Sequence, residues 1–279
     1  MNNDNQVIII LSESRSGSTW LSYVLGSHTN AAHLGEYFRP FTMPGHIACR
    51  LCEAKGKSEC EILHGIENVI KEDAHNFAFE RFQKKTLIDS SKQLDWVVDF
   101  SQESAFQTKV IHLFRDPRSW YASERRRKTH LTVSDAMERW LNTNQTISST
   151  LDEHSISYVT AYYEELCIKP EIYFNAGVNE YLKMPFEEAA LEYWNFQHHG
   201  LGGNGAAFNN LSGYPKAKML TGDDEYYNGM KRKRFYDARW LDELSPSERS
   251  EIENMETLNT YLKRQNRSFA HFDALLAQR

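Results

Sequence analysis

The chain has 279 residues, 41% of them hydrophobic and 13% aromatic, enough to build one large core or one core with a small appended lobe. A quarter of the residues are charged, which fits a globular chain and excludes a disordered one, and the net charge of −6 argues against a general nucleic-acid binder. The polar start Met1–Gln6 carries no basic run, and the apolar run Val7 to Leu11 is too short for a signal-peptide core or a membrane span, so a cytoplasmic protein with no membrane partner is expected.

In chain order, Val7 to Leu11 is nearly continuous in apolar residues, the pattern of a strand buried on both faces. A Ser/Gly-rich loop follows, and Trp20, Leu21, Val24 and Leu25 then form a helical stripe. Thr86 to Ile88 reads as a weaker strand. Val110 to Phe114 is a second continuous strand, with a helix after it over Trp120 to Lys128. Ser134 opens a helical pattern that runs to Leu151, with Glu138 behind it as a loose capping signal. Ile156 to Tyr162 is a further strand candidate. Near the end, Ser245 is placed to cap a helix, with Pro246 in its first turn and Glu248 three residues after the cap. Strands alternating with helices predict an α/β three-layer sandwich with a central parallel sheet and a phosphate-binding loop after the first strand. No repeat, low-complexity tract or linker divides residues 1–279, so a single domain is expected.

The loop Ser14-Arg15-Ser16-Gly17-Ser18-Thr19-Trp20 joins a buried strand to a helix. The first N–H groups of a helix have no internal partner, and the helix dipole places partial positive charge there. Small residues let the backbone wrap an anion, hydroxyls add donors, and Arg15 adds a charge that can bridge phosphate oxygens. The pattern G-x-x-x-x-G-K-[ST] is absent, which counts against an ordinary ATPase or GTPase. A plain Ser/Gly turn is the alternative. Two basic runs, Arg125 to Lys128 and Lys231 to Arg234, suit either a solvated face or a polyanionic small molecule.

Arg15-Ser16-Gly17-Ser18-Thr19-Trp20 resembles the 5′-phosphosulfate loop of PAPS-dependent sulfotransferases, with Arg15 where many members have Lys. The family's second fingerprint, a strand ending in Arg with Ser eight residues on, is matched by Val110 to Ser123. Tyr162-Tyr163-Glu164-Glu165-Leu166, Asp89-Ser90-Ser91-Lys92, His199 with Gly202-Gly203-Asn204, and Asp237-x-x-Trp240 are also similar to family segments. Gly205 to Phe208 departs from it, since bacterial members often have Arg soon after the Asn. The resemblance is closest to the bacterial branch and implies a P-loop-like fold and bacterial secondary metabolism. It is weakest over residues 39–85, a Cys-containing substrate insertion, and 197–230.

The resemblance implies a PAPS donor, adenosine 3′,5′-bisphosphate as product, and a hydroxyl or amine of a small-molecule acceptor. Ser16 to Trp20 and Arg15 would hold the 5′ end, with Arg15 at the bridging oxygen. Arg115 and Ser123 would hold the 3′-phosphate, Lys92 would help the leaving group, and Lys231 to Arg234 would close over the donor. For the general base, Glu36, His33 and His199 are the candidates. A small-molecule kinase is the alternative activity, although no Gly-Lys-[ST] lies at the loop after the first strand and no acidic metal ligands are evident. Tyr37, Phe38, Tyr193, Trp194, Tyr226 and Tyr227 are either core or the lining of an acceptor pocket. Cys49, Cys52 and Cys60, with His64 beyond, have ligand types suited to structural zinc and equally suit three reduced thiols in a substrate loop.

Overall fold

The computed structural model describes residues 4–43, 48–102, 105–212 and 231–278. Its centre is a five-stranded, all-parallel sheet in the order β2-β3-β1-β4-β5, with β1 at Gln6–Leu11, β2 at Ala31–Gly35, β3 at Thr86–Asp89, β4 at Gln107–Phe114 and β5 at Tyr158–Tyr162. β1 lies between β3 and β4, with Val7 opposite Leu87 on one side and Ile9 opposite Val110 on the other. Helix α1 spans Ser18–Gly26, α2 Ala74–Phe82, α3 Leu94–Ser101, α4 Pro117–Arg125, α5 Val133–Glu153 and α6 Tyr163–Ile168. Three more close the chain: α7 at Pro246–Glu253, α8 at Glu256–Arg264 and α9 at Phe269–Leu276.

The continuous apolar character of β1 has a direct cause. Successive side chains of a strand point to opposite faces. Ile8 and Ile10 pack with Leu21 and Val24 of α1 and with Leu166 and Ile168 of α6. Val7, Ile9 and Leu11 pack with Ala78 of α2, Trp96 and Phe100 of α3, and Ile147 and Leu151 of α5. Helices thus cover both faces, giving the expected three layers. A third apolar cluster joins Phe114, Trp120, Trp140, Ile252, Leu258 and Phe272 beside the ends of β4 and β5.

Two local readings shift. Helix α5 begins at Val133 and is capped by Thr132, whose hydroxyl accepts from the Asp135 amide at 3.2 Å, so the cap lies two residues before Ser134. Strand β2 carries no pattern that marks it: it is five residues long and contains Ala, His and Gly. It forms because β3 pairs with it on one side and Leu201 bridges to Gly35 and Cys49 on the other.

The chain leaves β1 toward β2 on one side of the sheet and leaves β4 toward β5 on the other. The carboxyl ends of β1 and β4 therefore diverge and open a crevice, the usual ligand position in an open parallel sheet.

The capping box expected at Ser245 is present: its hydroxyl accepts from the Glu248 amide at 3.2 Å, and Glu248 accepts from the Ser245 amide at 2.8 Å. Ser245→Ala should lower folding stability by about 1 kcal/mol, read as an earlier denaturation midpoint in urea with an unchanged slope.

Candidate active site

The loop after β1 is shaped by two left-handed residues, Arg15 with φ 66° and Gly17 with φ 95°. Gly17 is required twice over. Its φ strains any other residue, and a Cβ there would overlap the ring of Tyr163. Gly17 also caps α1 without a side chain, leaving the first amides of the helix as donors toward the crevice.

The loop after β4 meets this one. Asp116 caps α4, accepting from the Arg118 amide at 2.9 Å, with Pro117 in the first turn. Ser119 and Ser123 share a face of α4, four residues apart. The Arg115 guanidinium donates to Ser119 Oγ at 2.9 Å and to the Arg15 carbonyl at 2.9 Å, and it lies 5.0 Å from the centre of the Tyr163 ring. Arg15 Nε donates to Ser123 Oγ at 2.7 Å, and Trp120 Nε1 donates to the Ser14 carbonyl at 2.8 Å. The structure brings Arg15, Arg115 and Ser123 together, although 100 residues or more separate the first from the other two.

Carboxylates hold these cations in place. Asp237 is buried beside Arg115 at 3.5 Å, Arg126 at 3.6 Å and Arg239 at 2.9 Å. Burial alone would raise its pKa, but the three guanidiniums outweigh that and hold the carboxyl far below the usual range. Glu13 accepts from Thr143 at 2.6 Å and pairs with Arg139 at 2.5 Å, and Glu124 pairs with Arg139 at 2.9 Å and lies 3.9 Å from Arg15. Fully buried Glu164 accepts from the Asp116 amide at 3.0 Å; desolvation and the neighbouring Asp116 push its pKa well above the usual range.

At the neighbouring strand ends, Glu36 follows β2 and Lys92 follows β3. Lys92 Nζ lies 3.0 Å from Glu36 Oε1 and donates to the Ser90 carbonyl at 2.9 Å. Arg39 holds the other carboxylate oxygen through Nε at 2.7 Å. Burial would raise the Glu36 pKa, but Lys92 and Arg39 bring it below the usual value, so Glu36 is ionised at neutral pH. A strap at 199–204 links this corner to the β1 loop. The Asn204 amide donates to Thr19 Oγ1 at 3.1 Å, and a Cβ at Gly202 would lie 2.8 Å from Glu36 Oε2.

His33 sits elsewhere. It is buried on β2, bonded through Nδ1 to Ser22 Oγ at 2.7 Å and packed against Tyr23 and His198, and Gly200 covers its Nε2 side. Burial and His198 hold its pKa well below the ordinary value. Lys231 donates to Ser212, Lys233 pairs with Glu188 and Glu192, and Arg234 pairs with Glu171. Arg126, from the other basic run, pairs with Asp237 beside Arg115. Tyr37, Phe38, Tyr193 and Trp194 are core residues, and Tyr226 and Tyr227 lie outside the described residues.

Cys49, Cys52 and Cys60 converge on His199, not on His64, which is exposed and pairs with Glu59. Their ligand atoms and that of His199 all lie within 4.8 Å of one another, a set that can hold a metal ion. No local spacing in the sequence ties His199 to these cysteines, which lie 139 or more residues away. The roles of Asp237, Glu13 and Arg139 likewise carry no local signal.

No protein-family model matches the chain, and no curated protein matches it. Among solved structures, the sulfotransferase domain from the curacin biosynthetic pathway aligns with a TM-score of 0.64 at 18% identity, covering 95% of this chain and 98% of that one. The sulfotransferase domain from the Synechococcus PCC 7002 olefin synthase aligns with a TM-score of 0.49 at 18% identity, covering 88% and 90%. Mouse sulfotransferase SULT7A1, complexed with PAP, aligns with a TM-score of 0.49 at 15% identity, covering 98% and 89%. The first of these alignments, which runs almost end to end on both chains, shows that this protein has the fold of a sulfotransferase domain.

Proposed function

We propose that the protein is a sulfotransferase that moves a sulfuryl group from PAPS to a hydroxyl or amine of a small molecule. The observation that carries this reading is the two-loop clamp, in which Arg15, Arg115 and Ser123 meet at the mouth of a parallel sheet beside the start of α1. A donor with a phosphate at each end needs more than one cationic group, and the clamp offers an arginine from each loop. The Walker lysine of an ordinary nucleotide kinase is absent. The fold shared with a sulfotransferase domain supports the same reading.

PAPS would supply the activated sulfuryl group. The chain's residues then divide the work. The α1 amides with Ser16 to Thr19 receive the 5′-phosphate. Arg115 and Ser123 receive the 3′-phosphate. Arg15 stabilises negative charge on the bridging oxygen as the sulfur–oxygen bond breaks, and Lys92 stands in support. Glu36 takes the acceptor proton. It is the ionised carboxylate at the adjoining strand end, whereas His33 is covered on the α1 side.

Four measurements test this. In a thermal-shift panel, adenosine 3′,5′-bisphosphate at 100 times its Kd should stabilise the protein by about 2.7 kcal/mol while ATP should not; stabilisation by ATP alone would overturn the reading. Arg15→Ala should cut kcat by ~100-fold or more with donor affinity little changed, whereas Arg115→Ala should chiefly weaken donor binding, as measured by single-turnover kinetics and calorimetry. Glu36→Gln should lower kcat by about 100-fold or more. Because its cationic neighbours depress the Glu36 pKa, the acidic limb of the wild-type pH–rate profile should fall below the ordinary glutamate range. An acidic limb near pH ~6.5, the ordinary histidine value, would instead point to a histidine base.

A further inference from the structure

We propose that Cys49, Cys52, Cys60 and His199 bind a zinc ion, and that this ion fastens the 199–204 strap across the strand ends. The four ligand atoms lie within 4.8 Å of one another, the three cysteines are buried, and none is in a disulfide. His199 Nδ1 is 3.7 Å from the sulfurs of Cys49 and Cys52 and 3.3 Å from that of Cys60. A tetrahedron with Zn–S of about 2.3 Å and Zn–N of about 2.0 Å has S···N edges of about 3.5 Å, so the observed separations match an ion at the centre. Hydrogen bonding does not account for the arrangement. An imidazole Nδ1 carries either one lone pair or one proton and can serve one sulfur at a time, not three. Three sulfurs and one imidazole nitrogen are the donor set of a closed structural zinc site.

The ligands come from two segments, residues 49–60 and His199, with Cys60 and His199 139 positions apart. The strap that His199 begins has no helix and only one bridging residue, Leu201. The Leu201 amide donates to the Leu34 carbonyl at 2.9 Å, and its carbonyl accepts from the Glu36 amide at 2.7 Å. Beyond it, Gly202 lies against Glu36 and Arg39, and the Asn204 amide bonds Thr19. This segment, which touches both the candidate base and the phosphate loop, has neither a helix nor a full strand to hold it. A metal clip between distant segments supplies what the missing secondary structure does not.

The test is metal content and local order, and neither readout involves sulfuryl transfer, so it stands apart from the proposed reaction. Protein purified under reducing conditions without chelator, then given zinc alone, should hold about one zinc per chain by plasma mass spectrometry. Cys52→Ser and His199→Ala should each reduce this to under about a third, whereas His64→Ala and His199→Cys should retain it. Removing zinc from the wild type with a chelator should speed amide exchange about tenfold or more in residues 48–64 and 199–204, leave β1 and β4 protected, and be reversed by zinc. Wild-type protein that takes up less than about 0.3 equivalents, an iron-coloured chain, or dependence on His64 in place of His199 would overturn the site. Exchange in 199–204 that ignores zinc removal would overturn the fastening role.

Discussion

Like charges crowd the crevice between β1 and β4, and the rest of the site depends on how they are held. Arg15, Arg115, Arg126, Arg139 and Arg239 approach it from four parts of the chain. Two unit charges ~4 Å apart repel by about 4 kcal/mol at an effective dielectric of 20, so an unpaired cluster of this kind would open the loops. Asp237 answers three of the guanidiniums, and Glu13 and Glu124 answer Arg139 and Arg15. Glu164, whose pKa is raised by burial and by Asp116, adds little negative charge of its own. The result is a crevice whose positive groups are fixed in direction before any anion arrives, which is the condition for electrostatic preorganisation.

The sheet makes that crevice unavoidable. Parallel strands in the order β2-β3-β1-β4-β5 send the chain in opposite directions from β1 and β4, so the two following loops face each other. Tyr163, at the start of α6, then works for both: its ring fills the space that Gly17 leaves and lies against Arg115. One aromatic side chain thereby sets the spacing between loops that are far apart in sequence.

What was legible beforehand follows the range of the physics involved. β1 and β4 announced themselves because burial on two faces demands continuous apolar residues. The loop at Ser14 to Trp20 was legible because a buried strand, a small-residue loop and a helix start are local patterns, and the Arg115 to Ser123 segment through its resemblance to the family's second fingerprint. Strand β2 was not, since its pairing with β3 and Leu201 supplies what Ala31 to Gly35 lack in propensity. The approach of His199 to the cysteines was not legible for the same reason: its partners are decided by the chain's return to the β2 edge. The basic run Lys231 to Arg234, which the family resemblance makes a clasp over the donor, has three of its four residues paired with Ser212, Glu171, Glu188 and Glu192.

Gly202 and Gly203 limit how the strap beside Glu36 can change. A Cβ at 202 would lie 2.6 Å from Arg39 Nε, and one at 203 would lie 3.0 Å from Thr19 Cγ2; both residues have positive φ. The strap beside Glu36 and Thr19 is therefore bare main chain. Exchanging side chains at these two positions has almost no room to work. A redesign has to begin at positions whose side chains are free to differ and leave the two glycines as the fixed template around which they vary.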